Sequence, residues 1–594
     1  MYGHLIAAKK VTSVLQPFNQ TTRHKTPEMQ LTVHQDDANM LLSEKNILSE
    51  PVLDKYRTAG QIVQTTLKYL IQLINDSYHL GKTERPYSLQ ELCVLGDSMT
   101  SKLLNKSYTN TDKVREKGLA HPVTIDVNEY VANVSPELDL QQHYTFSPGD
   151  VVTISTGAHI DGYTALVSHT VVIYPPGVMI DNQLKPEGPL LGPKADSMVA
   201  SYIATEATVA LLGLALTPEK LSVVPGLNGA SNITGAHIRE LVDGIAESFG
   251  CVVVPGSKVR RIRRFLAGQA EGIVAERDFK GVVWSESDQE TNLLKKTTND
   301  QSLIVHDNKE AAHSTQTSSA IPSDEFVIEA GEVYNIDIRM CSVRNLEKGL
   351  VTLEDVDDYK NEMAKQTIHI RDFAITHSLK LKSARKLLNA VDKNFSVYPF
   401  KLTYMCESFP VDHESGDAVK QLEEIKKEIK VQRLGLSELS NRYLTRAKPV
   451  QRVKSIPLSK ILTTDNKTGR HGIDATKLTL PGREVPLPAL GVSALKLKSL
   501  LKHGSIADAI SRESTTIVLN NASSNNVVRL TGGNQAFKPS WVHSQFQVGG
   551  LIQPTVEALS QLVQDSRFGI KIKEIQPYKL NEEVLHLTET MQLD

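Results

Sequence analysis

Five cations, Lys258, Arg260, Arg261, Arg263 and Arg264, fall within seven residues of this chain. Guanidinium groups match phosphate oxygens through paired hydrogen bonds, so the run is a candidate for a salt-sensitive, sequence-independent contact with an RNA backbone. Laid on a helix, the five would cover well over half the circumference, more than one buried face could absorb. The plain alternative is a solvated segment paired with Glu271, Glu276 and Asp278. A second charged stretch, 420–433, interleaves Lys426, Lys427, Lys430 and Arg433 with Glu423, Glu424 and Glu428, and reads as a self-paired helix face. His159, Asp161 and His169 stand close together and could in principle ligate a metal, though their types also suit turn and strand positions. Trp284 and Trp541 read as packing anchors. Cys93, Cys251, Cys341 and Cys406 are scattered and make neither a Cys-x-x-Cys pair nor a disulfide framework, a usage that fits a reducing compartment. No Gly-x-Ser-x-Gly nucleophile motif and no phosphate-cradling glycine loop occurs.

The elements that would position these residues are legible in part. Apolar residues from Ile62 to Ile74 recur at helical spacing within a stretch starting near Val52. An alanine- and leucine-rich helix is predicted over about 195–216. Another is predicted from Thr234 to Phe249, with Thr234 as cap and Gly250 as stop. Val151–Ser155 and Tyr163–Tyr174 read as strands flanking a turn at Asp161-Gly162, a strong hairpin signal. Glu332–Ile338 reads as a strand after Gly331, and 515–519 with 527–530 as a late hairpin. Ala418, Leu422, Ile425 and Ile429 share one side of a helix. Residues 1–40 read as a flexible extension, within which Met29 offers an alternative start, and about 285–324 as a polar surface insert. The chain has 66 basic and 68 acidic residues, a near balance that excludes wholesale attraction to nucleic acid by net charge. No apolar run approaches the roughly 20 residues of a membrane span, and the apolar stretch at the N-terminus is too short for a secretory signal.

Three blocks occur in family order: KGLAHPVTIDVNEYVANVSPE (117–137), PGDVVTISTGAHIDGYTALVSHT (148–170) and EAGEVYNIDI (329–338). They resemble the methionine aminopeptidase-like metallopeptidases. The resemblance spans about residues 45–535 and implies an α/β (α+β) pita-bread fold: two pseudo-symmetric halves, each of helices backing antiparallel sheet. It divides the chain into 41–364, the first half and part of the second; 365–480, a helical insert of the type II kind; 481–545, completing the second half; and 546–594, a C-terminal extension.

Such enzymes hold two metal ions with two Asp, one His and two Glu, beside a catalytic His. The matching positions here are Ser155 and Leu166 for the Asp pair, Lys258 for the His ligand, Asp337 and Ser514 for the Glu pair, and Asn133 for the catalytic His. Ser155 and Leu166 are expected opposite each other on one face of the hairpin. Glu513, one residue from Ser514, is expected to point to the other face. One carboxylate cannot offset the desolvation of two dications, so no metal, no cofactor and no catalytic residue is expected. Runs such as KVRRIRRFLAGQAEGIVAER (258–277) and RLTGGNQAFKPSWVHSQ (529–545) are similar to a fungal, non-catalytic branch of the family; an animal, ErbB3-binding branch binds ribosomes and RNA. The resemblance implies a factor that accompanies the pre-60S precursor of the large ribosomal subunit from nucleus to cytoplasm. Its implied partners are rRNA and ribosomal proteins at the tunnel exit and nuclear pore proteins, with no membrane. The competing readings are a divergent metallopeptidase relying on Asp337 and a module that grips a chain terminus without cutting it.

Overall fold

The structure is a computed structural model that describes Met40 and residues 43–580, apart from 266–278, 290–323, 461–498 and several shorter stretches. The N-terminal extension, nearly all of the polar insert, and the expected counterions Glu271, Glu276 and Asp278 therefore lie outside the described residues. In chain order the main elements are α1 (Glu50–Ile74), α2 (Leu89–Lys106), β1 (Lys117–Val127), β2 (Tyr130–Ala132), β3 (Val151–Ile160), β4 (Tyr163–Val172), β5 (Val178–Ile180) and β6 (Gln183–Lys185). Then come α3 (Pro193–Gly213), α4 (Gly235–Ser248), β7 (Cys251–Val253), β8 (Lys258–Ile262), β9 (Gly281–Val283), β10 (Val333–Ser342), β11 (Gly349–Asp355) and β12 (His369–Arg371). The chain closes with α5 (Lys382–Asn394), α6 (Ala418–Asn441), β13 (Thr445–Ala447), β14 (Gln451–Pro457), β15 (Ser505–Ile506), β16 (Ile510–Asn520), β17 (Asn526–Arg529), α7 (Gln553–Gln564) and β18 (Ile572–Glu574).

Local chemistry sets the helix ends. Ser88 and Glu91 form a reciprocal capping box on α2, with Ser88 N–H donating to the Glu91 carboxylate at 2.9 Å. Thr234 caps α4 as its sequence predicts, its N–H donating to His237 Nδ1 at 3.1 Å. Gly250, at φ 62°, stops the helix in a conformation that side chains resist. The core of the fold is a ten-stranded sheet in the order β1-β3-β4-β16-β10-β8-β9, with β7, β17 and β18 alongside. One apolar core joins α1 and α2 to β1, β3 and β4 and takes in Leu387 of α5 and Ile425 of α6. A second joins α3, α4 and α7 to β16, β10 and β8. The two halves meet where β4 pairs with β16 at Ser168↔Ser514. Two helix pairs backing two halves of one antiparallel sheet make the pita-bread arrangement.

Three expectations need correction. By length and composition alone, the helical stretch Pro193–Leu216 could cross a membrane. Here it is mostly buried against the sheet, where Ser201 Oγ meets Ser511 Oγ at 2.6 Å. Trp284 is a buried anchor whose indole N–H donates to Asp243 at 2.7 Å, but Trp541 is 52% exposed, so only one tryptophan packs as expected. On α6 the apolar side is buried as expected, yet the charges are only partly self-paired. Glu428 accepts from the Glu407 N–H and the Ser408 hydroxyl, and Arg433 reaches Asp139 on the main body. Lys401, fully buried, fastens the insert further by donating to Ser135 Oγ at 2.8 Å and Asp97 at 3.2 Å.

Candidate functional site

Strand register brings distant residues into one file. Thr124 pairs with Ser155, Ser155 with Ser168, Ser168 with Ser514, Ser514 with Asp337, and Asp337 with Lys258. Cross-strand partners share a face, so four of the six positions matched to the family's catalytic set stand in a row on one side of the sheet. Leu166 stands diagonally to Ser155, not opposite it: its partner is Gly157. The hairpin turns between Asp161 and Gly162, both at positive φ (53° and 82°), which closes Ile160 onto Tyr163 and moves the pairing two residues from the expected register. The shared face survives, because the shift is even. Ser155 Oγ bonds Ser168 Oγ at 2.8 Å. Asn133 lies off the file, past β2, and donates its side-chain N–H to the Pro449 carbonyl at 2.7 Å.

Asp337, the carboxylate left on the file, is already taken. Arg512 donates to it bidentately, Nε to Oδ1 at 2.7 Å and Nη2 to Oδ2 at 2.9 Å. Arg339 adds a bond from Nη2 to Oδ2 at 2.9 Å. Arg339 pairs with Arg512 across β10 and β16, two residues along from the Asp337↔Ser514 pair, so the three side chains share the face. All are buried or nearly so; burial pushes the Asp337 carboxyl up, but the Arg339 and Arg512 guanidiniums overcome it and hold it far below the usual carboxylate range. Asp126, buried nearby, has its carboxyl raised to about 6 by burial, against the pull of Arg512. Its Oδ1 accepts from the Val134 N–H at 3.0 Å, while Oδ2 has no hydrogen-bond partner among the described residues. Burial, with Lys448 and Arg512 adding to it, drives the His121 imidazole down to about 3, so the ring is neutral and Nδ1 donates to the Pro122 carbonyl at 2.6 Å.

No family model matches the chain. Curated relatives do. It is 58% identical over 578 residues to a protein of Debaryomyces hansenii named "Probable metalloprotease ARX1", covering 95% of this chain and all of the relative. The Saccharomyces cerevisiae protein of the same name is 48% identical over 590 residues, covering 93% of this chain and 97% of the relative. The chain belongs to the ARX1 family. A solved structure of a thermophilic Arx1 superposes with a TM-score of 0.49 at 17% identity, covering 86% of this chain and 98% of that one.

The ARX1 relatives are named as probable metalloproteases, so the fit of a metal to these residues matters. The donor set does not suit one. Ser155, Leu166 and Ser514 offer two hydroxyls and an alkyl group, Lys258 brings an ammonium, and the lone pairs of Asp337 are engaged by two guanidiniums. Among the described residues no group of three or more His, Cys, Asp or Glu could hold a metal. Glu513 points to the other face as its offset predicts, and accepts from His169 Nδ1 and the Thr170 N–H, both at 3.0 Å. His159 is stacked on Tyr398 with ring centroids 3.8 Å apart, and Asp161 accepts from Lys55 and from the Arg115 N–H at 2.8 Å. His159, Asp161 and His169 therefore serve separate local roles.

The basic run of this ARX1-family chain also differs from expectation. Residues 258–262 form a strand paired with β10 on one side and β9 on the other, not a helix. Alternation then sends successive cations to opposite faces. Arg261 and Arg263 are buried, and Arg261 meets Glu332 at 3.0 Å. Arg260 lies over the Phe279 ring, and Arg264 donates from Nε to the Asp161 carbonyl at 2.7 Å while covering the Tyr163 ring. Lys258 stands half-buried on the file. The run fastens the sheet and the hairpin turn. Arg339 and Arg512 are absent from the sequence reading. A period-2 signal existed for them: Arg339 stands two residues after Asp337, and Arg512 two before Ser514.

Proposed function

We propose that this chain is a non-catalytic assembly and nuclear export factor of the pre-60S ribosomal subunit. It binds the particle near the polypeptide tunnel exit through rRNA and ribosomal proteins, meets nuclear pore proteins, and shuttles between nucleus and cytoplasm. The observation that carries the non-catalytic part is the Arg512–Asp337–Arg339 cluster. Two fixed cations occupy the carboxylate that a dinuclear centre would need free. Their removal from Asp337 would leave two guanidiniums buried without a counter-charge, a cost of several kcal/mol against any incoming metal. The ribosomal part rests on the resemblance of runs such as 529–545 to the fungal branch of the family. The metalloprotease in the relatives' name favours a second reading, a divergent metallopeptidase.

Two measurements separate the readings. Elemental analysis of the purified chain is expected to give well under one transition metal per molecule, with no turnover of peptides carrying N-terminal Met before or after addition of Co²⁺, Mn²⁺ or Zn²⁺. Two bound metals together with turnover abolished by Asp337→Ala would establish the peptidase instead. Sedimentation from cell extract should place the protein with pre-60S particles and release it as salt is raised. A protein absent from those particles at low salt would end the assembly reading.

A further inference from the structure

The chain holds three pairs in which Asp or Asn precedes Gly: Asp161-Gly162, Asn228-Gly229 and Asp243-Gly244. Such a pair can cyclise, the glycine nitrogen attacking the side-chain carbonyl carbon before it, because glycine puts no Cβ in the way and its backbone turns freely. The nitrogen must be free to lose its proton, and the peptide between the two residues must be free to rotate. Two of the pairs lack both freedoms. The Gly162 N–H donates to His159 Nδ1 at 3.3 Å, and the buried Asp161 carboxylate accepts from Lys55 and from the Arg115 N–H at 2.8 Å. Asp243-Gly244 lies inside α4, where the helix ladder uses the Gly244 N–H. Asp243 is held by the Trp284 indole, and a Cβ at Gly244 would stand 3.1 Å from Ile552.

Asn228-Gly229 is built differently. It follows a single 3-10 turn, Pro225–Leu227. Asn228 (φ −58°, ψ 123°) and Gly229 (φ 84°) are the central residues of a type II turn, closed by the Ala230 N–H donating to the Leu227 carbonyl at 3.0 Å. Both are exposed, and a Cβ on Gly229 would meet nothing within 4 Å. Among the described residues neither the Gly229 N–H nor the Asn228 side chain has a hydrogen-bond partner. One hydrogen bond spans the turn, so the peptide plane inside it can swing toward the Asn228 side chain. The flanks stay fixed meanwhile: Leu227 and Ile233 are buried in the second core, and Gly226 lies against Thr555 of α7.

We propose that Asn228 is a self-modification site, converted through a succinimide to aspartate and isoaspartate while the rest of the chain stays folded. The Gly229 nitrogen gives its proton to hydroxide and bonds to Asn228 Cγ. The Cγ–Nδ2 bond breaks, and the side-chain nitrogen leaves as ammonia. Water then opens the five-membered ring. Attack at the side-chain carbonyl gives aspartate, and attack at the backbone carbonyl gives isoaspartate. No oxidant or reductant takes part. Either product adds a negative charge to an exposed loop. Isoaspartate also lengthens the main chain by one carbon, which pulls the Ala230 N–H away from the Leu227 carbonyl. This chemistry is independent of the ribosomal reading.

The test is peptide mapping by mass spectrometry of the full chain aged in mildly alkaline buffer, with a parallel sample in urea. In the native sample the peptide carrying Asn228 should gain the mass of an amide becoming an acid before any other asparagine peptide does. It should also split into two isomeric peaks, aspartate and isoaspartate. Asp161 and Asp243 should form isoaspartate only in urea. Gly229→Ala should abolish the conversion. Because a Cβ at φ 84° strains the turn, Asn228→Gln serves beside it. That variant should keep the wild-type melting temperature and lose the acidic species that aged wild type shows on ion exchange. A native chain whose Asn228 stays an amide while other asparagines convert overturns the proposal. So does conversion seen only in urea, which means that the turn protects the pair. Conversion to aspartate without isoaspartate, which is direct hydrolysis, overturns it too, as does a Gly229→Ala chain that converts as fast as wild type.

Discussion

Replacing Arg512 by Met removes the bidentate partner of Asp337 while keeping most of the side-chain volume. Arg512 Nε and Nη2 reach the carboxylate at 2.7 and 2.9 Å, and Nη1 donates to the Val131 carbonyl at 3.3 Å. Breaking a buried ion pair by deleting one partner costs about 3–5 kcal/mol. Here Arg339 keeps a grip on Asp337, so the loss should be somewhat smaller, about 2–4 kcal/mol. Urea denaturation monitored by circular dichroism reads this as a shift in midpoint at constant slope. A cycle with Asp337→Asn should give a coupling of about 2 kcal/mol, because each single change strands the other's charge. The pH dependence carries the same signature. A carboxyl held below its unfolded value adds stability that is present above about pH 4 and lost as pH falls through the folded value. Wild-type protein should lose this contribution gradually from about pH 4 down into strong acid; in Arg512→Met the loss should be smaller and complete nearer pH 4. A destabilisation under about 0.5 kcal/mol, the level of an ordinary surface change, would refute the idea that these guanidiniums stand in for the metals as the sheet's internal cations.

Two further outcomes follow. Asp126 has its carboxyl raised to about 6, so the native state holds that proton longer than the unfolded chain does, and stability should fall as pH rises from about 4 to about 6. Asp126→Asn should flatten that slope in thermal melts across the window and stabilise the protein above pH 6 by up to about 2–3 kcal/mol. Gly162 stands at φ 82°, and a Cβ there would lie 2.7 Å from the Phe265 ring. Gly162→Ala should therefore cost about 1–3 kcal/mol through backbone strain and steric overlap, read as a lowered melting temperature.

Much of the fold was legible because its signals are local. The period of 3.6 residues marked α1, α4 and the buried side of α6, and alanine and leucine content marked α3. The Asp161-Gly162 pair marked the β3–β4 hairpin, since few other residues accept two successive positive φ values. Parity along a strand was enough to put Ser155 and Leu166 on one face and Glu513 on the other. It was not enough to set the register, because that depended on where the turn's two central residues fell. The basic run misled for a related reason. Its charge density was plain, but whether 258–262 would wind as a helix or extend as a strand depended on β10, some seventy residues later, and β9 being there to pair with it.

The sequence by itself set the residue types at the positions that the resemblance matches to the family's site: Ser155, Leu166, Lys258 and Ser514 where metal ligands are expected, and Asn133 where the catalytic His is. What stands in their place was decided by tertiary structure. Arg512 and Asp337 are 175 residues apart, and only the β10–β16 register makes them neighbours. The same holds for the cations of the surface: Lys382, Lys386 and Lys393 are no more basic as a string than Arg260, Arg261 and Arg263. Packing buried Arg261 and Arg263 and laid a half-buried Arg260 over the Phe279 ring, at a strand paired on both edges, and left the lysines on the outside of a helix, because α5 had one apolar side to bury and its partners covered only that side.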